Sequence, residues 1–114
     1  MSIHLPTSID LPGPIDLYVK SENAGDANAL SECFAANATV HDEHHTYRGL
    51  AAIQEWKVEA KRKFGHTVVP LDVTQRDGKT ILKAELTGNF PGSPVTLDFS
   101  FVLERGKIVS LDIR

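Results

Sequence analysis

Residues 38–49, Ala-Thr-Val-His-Asp-Glu-His-His-Thr-Tyr-Arg-Gly, gather three histidines, two carboxylates and a tyrosine into one short run. Side chains of these types move protons or bind metal ions. The β-branched Thr39 and Val40 mark a strand, and alternation along it places Val40, Asp42, His44 and Thr46 on one side and His41, Glu43, His45 and Tyr47 on the other. A metal centre needs three or four converging ligands. Asp42 and His44 supply only two on one face, and His4 and His66 stand at no recognised ligand spacing. Neither a metal nor another cofactor is therefore expected. On residue types alone the run is either the working end of a catalytic pocket or only a solvated strand rim.

The flanking segments must position these groups. Three prolines and a glycine lie within residues 1–14, which reads as an irregular arm over 1–13 followed by one domain over 14–114, with Pro14 suited to the first helical position. Ile15, Tyr18, Val19 and Glu22 then share a helical face, Gly25 stops that helix and Asp26 caps a second. In the second helix Ala27, Leu30, Cys33 and Phe34 recur at helical spacing. Between Gly49 and Gly65 the apolar stripe Leu50, Ile53, Trp56, Ala60 and Phe64 predicts a third helix, with Lys57, Glu59, Lys61, Arg62 and Lys63 on its other side. A tryptophan on that stripe fills space, and it can also border a ligand.

From Thr67 onward the period changes to strands, at 67–75, 80–90, 95–104 and 107–113. Arg-Asp-Gly-Lys at 76–79 and Glu-Arg-Gly-Lys at 104–107 are tight hairpin signals, while Pro-Gly-Ser-Pro at 91–94 is a looser link. Helices followed by an antiparallel meander define an α+β domain, with the long helix lying across the sheet.

Composition narrows the function. A chain of 114 residues with 41% hydrophobic content builds one core. A net charge of -3, with acids and bases interspersed, argues against nucleic acid or anionic lipid as partner. The single cysteine, Cys33, lies among apolar residues and reads as packing in a reducing compartment. With no secretory signal or membrane-spanning stretch in the sequence, a cytoplasmic protein is expected.

Tyr-Val-Lys-Ser-Glu-Asn-Ala-Gly-Asp from Tyr18, Ala-Thr-Val-His-Asp to Asp42, Tyr-Arg-Gly-Leu-Ala-Ala-Ile-Gln-Glu-Trp to Trp56 and the terminal Gly-Lys-Ile from Gly106 together resemble the nuclear transport factor 2-like superfamily. Within it, the SnoaL-like and ketosteroid-isomerase-like branch is the most similar. The resemblance spans Pro14 to Ile113 and implies a cystatin-like cone, with three N-terminal helices against a strongly curved, mainly antiparallel sheet around an apolar pocket. It also implies pairing of two copies through the sheet.

In the steroid isomerases a carboxylate moves a proton beside a carbonyl while hydroxyl or acid donors stabilise the enolate oxygen, a division of labour for which ketosteroid isomerase is the standard worked case. By motif, Asp42 falls at the base position and Tyr18 at the donor position, although Glu43 stands where the steroid isomerases have proline. Tyr18 either turns its hydroxyl into the pocket or packs its ring in the core. A gapless match would make Asp98 the second donor, yet Val95, Leu97, Phe99, Phe101 and Leu103 alternate as one apolar face and leave Asp98 with Thr96 and Ser100 on the other. An unpaired buried carboxylate costs several kcal/mol, so the outward phase is favoured.

Two functions follow. One is cofactor-free proton transfer, as in an isomerase, cyclase or dehydratase, on a small hydrophobic or cyclic carbonyl compound, with Asp42 and Tyr18 catalytic and His44 and Trp56 at the ligand. The other is a non-catalytic small-ligand-binding or dimerisation domain. A homodimer is expected in both, because an uncovered sheet face bearing phenylalanines, valines and leucines would be an apolar patch in water.

Overall fold

Proline and glycine punctuate the first helix as the sequence implies. In the computed structural model, which describes residues 10–114, α1 spans Gly13–Ala24 with Pro14 in its first turn and ends on Gly25 at φ 70°. Residues 1–9 of the expected N-terminal arm lie outside the described residues. The Gly25 and Asp26 amides return to the carbonyls of Glu22 and Ser21, so the left-handed residue satisfies the helix end. Asp26 then accepts the Ala29 amide at 3.3 Å and caps a 3-10 turn over Ala27–Ala29 that runs into α2, Leu30–Cys33. Asn23 fastens this corner to the sheet: its side-chain amide donates to the Val68 carbonyl at 2.9 Å and its carbonyl accepts the Val68 amide at 2.7 Å. A side chain here completes a strand-like pair with the strand that holds Val68.

The strands are β1 Phe34–Asp42, β2 His45–Arg48, β3 Thr67–Arg76, β4 Lys79–Thr87, β5 Val95–Glu104 and β6 Lys107–Ile113, with α3, Leu50–Phe64, between β2 and β3. They form one curved sheet in the order β2-β1-β6-β5-β4-β3. Every pair is antiparallel except β1 with β6, and register shifts in the β1–β6, β3–β4 and β5–β6 pairs bend it. The resulting hollow holds the core: Ile15 and Tyr18 of α1, Ile53 of α3, and Leu82, Phe99, Phe101 and Leu111 of the sheet are almost fully buried.

Strand phase in β5 follows the alternation. Val95, Leu97 and Phe99 line the hollow, whereas Asp98 is half-exposed on the convex side, 3.4 Å from Lys83 of β4. The phenylalanines of β5 are thus consumed by the core, and the convex side carries Val69 and Leu71 as its most exposed large apolar residues. Among the described residues no helix is long and apolar enough to cross a membrane.

Three local expectations are corrected. Phe34 opens β1 and does not close the second helix, because α2 ends at Cys33 and Phe34 is extended, with φ -98° and ψ 143°. The run 39–47 is not one strand; it folds into a hairpin about Glu43 and His44, both at positive φ, a turn geometry that favours glycine or asparagine and that this sequence fills with neither. Lys57 is not on the solvated side of α3 but is 3% exposed, since it follows Ile53 by one helical turn and so shares the buried stripe.

Gly88, just past β4, passes so close to the end of α3 that a Cβ there would lie 2.9 Å from the Phe64 carbonyl oxygen and 3.1 Å from the His66 Cα. Backbone atoms cannot swing aside. Gly88→Ala should therefore destabilise the protein by about 1–3 kcal/mol, read as a lower urea midpoint with an unchanged slope.

Candidate functional site

Between α3 and the concave side of the sheet lies a cavity of about 780 Å³, a size that accommodates a drug-sized molecule. Its walls are mostly apolar: Ala60 and Phe64 on α3 face Leu86, Val95, Leu97 and Phe99 on β4 and β5. Asp42, the last residue of β1, borders it. Strand and helix together orient this carboxylate, because the Trp56 indole N–H donates to Asp42 Oδ2 at 3.2 Å. Oδ1 carries no such partner among the described residues and is the oxygen left to accept a proton. Burial raises the Asp42 pKa, the Glu43 charge raises it further, and the Trp56 hydrogen bond opposes both. A carboxylate so shifted is a stronger base.

Trp56 also stacks on Tyr47 of β2, with ring centroids 5.5 Å apart and planes inclined by 26°. The turn at Glu43–His44 makes this possible, since it pairs Tyr47 with Val40 and returns it to the side that Asp42 shares. An uninterrupted strand would have sent Tyr47 the other way.

Beside the cavity a cluster of polar side chains is buried. Glu22, on the inner face of α1, is 2% exposed and accepts from the Tyr18 hydroxyl at 2.5 Å, from the Lys57 ammonium and from His66 Nε2. A carboxylate only accepts, so Nε2 of His66 is the protonated ring nitrogen. Burial by itself would raise the Glu22 pKa, but Lys57 and His66 outweigh it and bring the group down to about 2. Lys57 is shifted downward by burial, with Glu22 and Asp42 opposing that shift. Its Nζ lies 3.9 Å from the Trp56 ring centroid.

The residues singled out in the sequence part company here. Asp42 and Trp56 meet at the cavity and touch each other. Tyr18 is fully buried, packs edge-on against Phe34 and Phe101, and spends its hydroxyl on Glu22; it is not among the cavity walls. Burial, followed by the Glu22 charge, pushes its pKa well above the usual phenol value. His44, at φ 67° in the exposed turn, is not a wall of this cavity; with His41, His45 and Arg114 it borders a second cleft, which shares Asp42 and Ile113 with the first. Among the described residues no cluster of three or more His, Cys, Asp or Glu side chains is arranged to hold a metal ion. Cys33 is buried and free, its thiol pushed up to about 11 by burial.

Sequence reasoning passed over Glu22, Lys57, His66 and Tyr47 as site residues. A usable signal existed for the first two. A lone acid on the apolar face of α1 and a lone base on the apolar stripe of α3 are complementary charges that can be buried only together.

A sheet curled about three helices, with a hollow beneath the long one, is the nuclear transport factor 2-like cone. The profile of the SnoaL-like domain matches residues 15–111, and the chain belongs to that family. A solved structure of a candidate polyketide cyclase from Sinorhizobium meliloti is similar at 40% identity and TM-score 0.88, covering 92% of this chain and 96% of that one. A second, from Catenulispora acidiphila, has a ketosteroid isomerase-like fold and was solved with trimethylamine; it shares 19% identity over 92% of this chain and 86% of that one, at TM-score 0.80. A third, the candidate polyketide cyclase IdmH from Streptomyces antibioticus, shares 20% identity over 89% and 88% of the two chains, at TM-score 0.71. No functionally curated protein gives a significant match.

The Glu22 cluster makes acid stability specific. Its folded pKa of about 2 lies below the ordinary 4.5, so its contribution is complete above the unfolded value and is lost as pH falls through the folded one. The loss should be on the order of 3 kcal/mol between those limits. Glu22→Gln should be less stable at neutral pH by about 3–5 kcal/mol, because the Lys57 ammonium is left buried alone. It should also lack this acid-dependent component in urea titrations at successive pH values.

Proposed function

We propose that the protein catalyses cofactor-free proton transfer on a small hydrophobic carbonyl compound, with Asp42 as the base. One observation carries the reading: a carboxylate of raised pKa, clamped through one oxygen by Trp56, borders an apolar cavity of about 780 Å³. Removing a proton next to a carbonyl requires a base within reach of that carbon and a surrounding that keeps water from levelling the base. Asp42 and the walls contributed by Leu97, Phe99 and Phe64 provide both. Trp56 acts as the positioning residue, since its N–H fixes which carboxylate oxygen faces the ligand.

The likeness to a candidate polyketide cyclase at 40% identity supports the same chemistry, since closing a ring by carbon–carbon bond formation next to a carbonyl calls for a base at that carbon. Within this scheme the turn residue His44 serves the hairpin that delivers Asp42 and Tyr47 to the cavity, and Tyr18 serves Glu22. If the cavity binds a ligand without turning it over, the protein is a small-molecule carrier of the same fold.

The test is deuterium exchange at the α-carbon of an apolar cyclic ketone such as β-tetralone, followed by NMR. Asp42→Asn should lower the rate by about 10²–10⁴-fold while leaving the fold intact. An unchanged rate rejects Asp42 as the base and leaves binding alone. Glu43→Gln removes a like charge that raises the Asp42 pKa. The acid limb of the exchange rate should therefore move to lower pH in that variant.

A further inference from the structure

Resting on the proton-transfer reading, we infer that Lys57 is the donor that receives the developing oxyanion. Neither donor suggested by the sequence is available. Tyr18 is not among the cavity walls and gives its hydroxyl to Glu22, which is, and Asp98 lies on the convex side beside Lys83. Lys57 borders the cavity while only 3% exposed, which makes it a buried cation at the wall of an apolar chamber. Charge–dipole interactions there act with little screening.

The hydrogen-bond inventory leaves this ammonium with capacity. It has three N–H donors, and among the described residues only Glu22 accepts from it. Glu22 in turn shares its charge with Tyr18 and His66, so it compensates Lys57 only in part. Glu22, Tyr18 and His66 thereby hold the ammonium in place as positioning residues. They do not quench it.

Trp56 sets the distance between base and cation. Asp42 is bonded to the edge of the indole through Nε1, and Lys57 Nζ sits over its face, 3.9 Å from the ring centroid. Groups on the edge and the face of one indole are within reach of a single ketone, with the α C–H at Asp42 and the carbonyl oxygen at Lys57. In the step, Asp42 takes the α-proton and the C–H electron pair forms the C=C bond. The C=O π pair moves onto oxygen, where Lys57 donates a hydrogen bond to the enolate. Protonated Asp42 then returns its proton to carbon and the enolate collapses to a ketone, so protons and electrons balance without a co-reactant. The opposing walls, Leu86, Leu97 and Phe99, accept a flat apolar ring.

Binding of β-naphthol, a planar mimic of the enol, and of β-methylnaphthalene, which keeps the shape without the hydroxyl, tests the assignment. Trp56 is the single tryptophan in the chain and lines the cavity, so its fluorescence reports occupancy directly. Wild-type protein should prefer β-naphthol by at least about tenfold, the size of a hydrogen bond to a charged group. The paired variant Glu22→Gln with Lys57→Met removes both buried charges together. It should lose that preference, read as the ratio of the two affinities within the variant. Equal preference in wild type and variant assigns Lys57 a structural role only and overturns the inference. Should the variant not fold by circular dichroism, wild type decides through the bound phenol: absorption of the naphtholate anion at a pH where free β-naphthol is neutral sustains the inference, and a neutral bound phenol or a ratio near one overturns it. The readout is binding, so it fails independently of Asp42: lost exchange in Asp42→Asn with no naphthol preference leaves proton transfer standing and removes Lys57, and the converse result removes the base alone.

Discussion

A single buried carboxylate organises this molecule. Glu22 projects from α1 into the space between that helix, α3 and the start of β3, where it accepts from Tyr18, Lys57 and His66. Tyr18 stands one turn away on α1 itself, whereas Lys57 lies on α3 and His66 just before β3, so the last two bonds fix the first helix, the long helix and the entry to the sheet relative to one another. Taking a carboxylate and an ammonium out of water costs several kcal/mol per ion, and only the short bonds between them offset it. Such a cluster stabilises little against an apolar substitute of equal volume, yet it tolerates no partial removal. It therefore specifies geometry more than it adds stability.

That geometry reaches the cavity through Trp56. The indole lies between Lys57 and Asp42, stacks on Tyr47 and bonds the Asp42 carboxylate, which connects the buried ion pair to the end of β1. The Asn23–Val68 clamp and the close pass of Gly88 behind Phe64 hold the same corner from the opposite side. The hollow stays open because the apolar side chains that could fill it, Leu97 and Phe99 on β5 and Phe64 on α3, are held on opposing walls. The Glu43–His44 turn carries two non-glycine residues at positive φ, a conformation that costs roughly 1–2 kcal/mol per residue. Its return is the placement of Tyr47.

Much of the architecture was legible from local pattern. Gly25, Asp26, Gly49 and Gly65 mark helix ends by backbone chemistry that acts within a few residues, and all four do so in the structure. The Asp77–Gly78 and Arg105–Gly106 turns are equally local. The alternation of β5 places Asp98 outside and Leu97 inside, since one strand phase turns five apolar residues inward and the other would turn an acid inward. Misreadings came where the signal was non-local or atypical. The hairpin at 43–44 lacks the glycine or asparagine that would announce it, and the charge of Lys57 points to solvent while its helical position points inward.

The sequence alone determined the order of elements, the family cone and the candidacy of Asp42 and Trp56, because periodicity, capping and motif spacing are properties of neighbouring residues. Only tertiary structure decided that Tyr18 turns to Glu22, that His44 stands away from the cavity and that Lys57 and His66 belong beside it. Glu22 and His66 are 44 positions apart in the chain. Contacts of that kind exist only after α1, α3 and β3 have packed, and the energy that selects them is the need of buried charges to find one another.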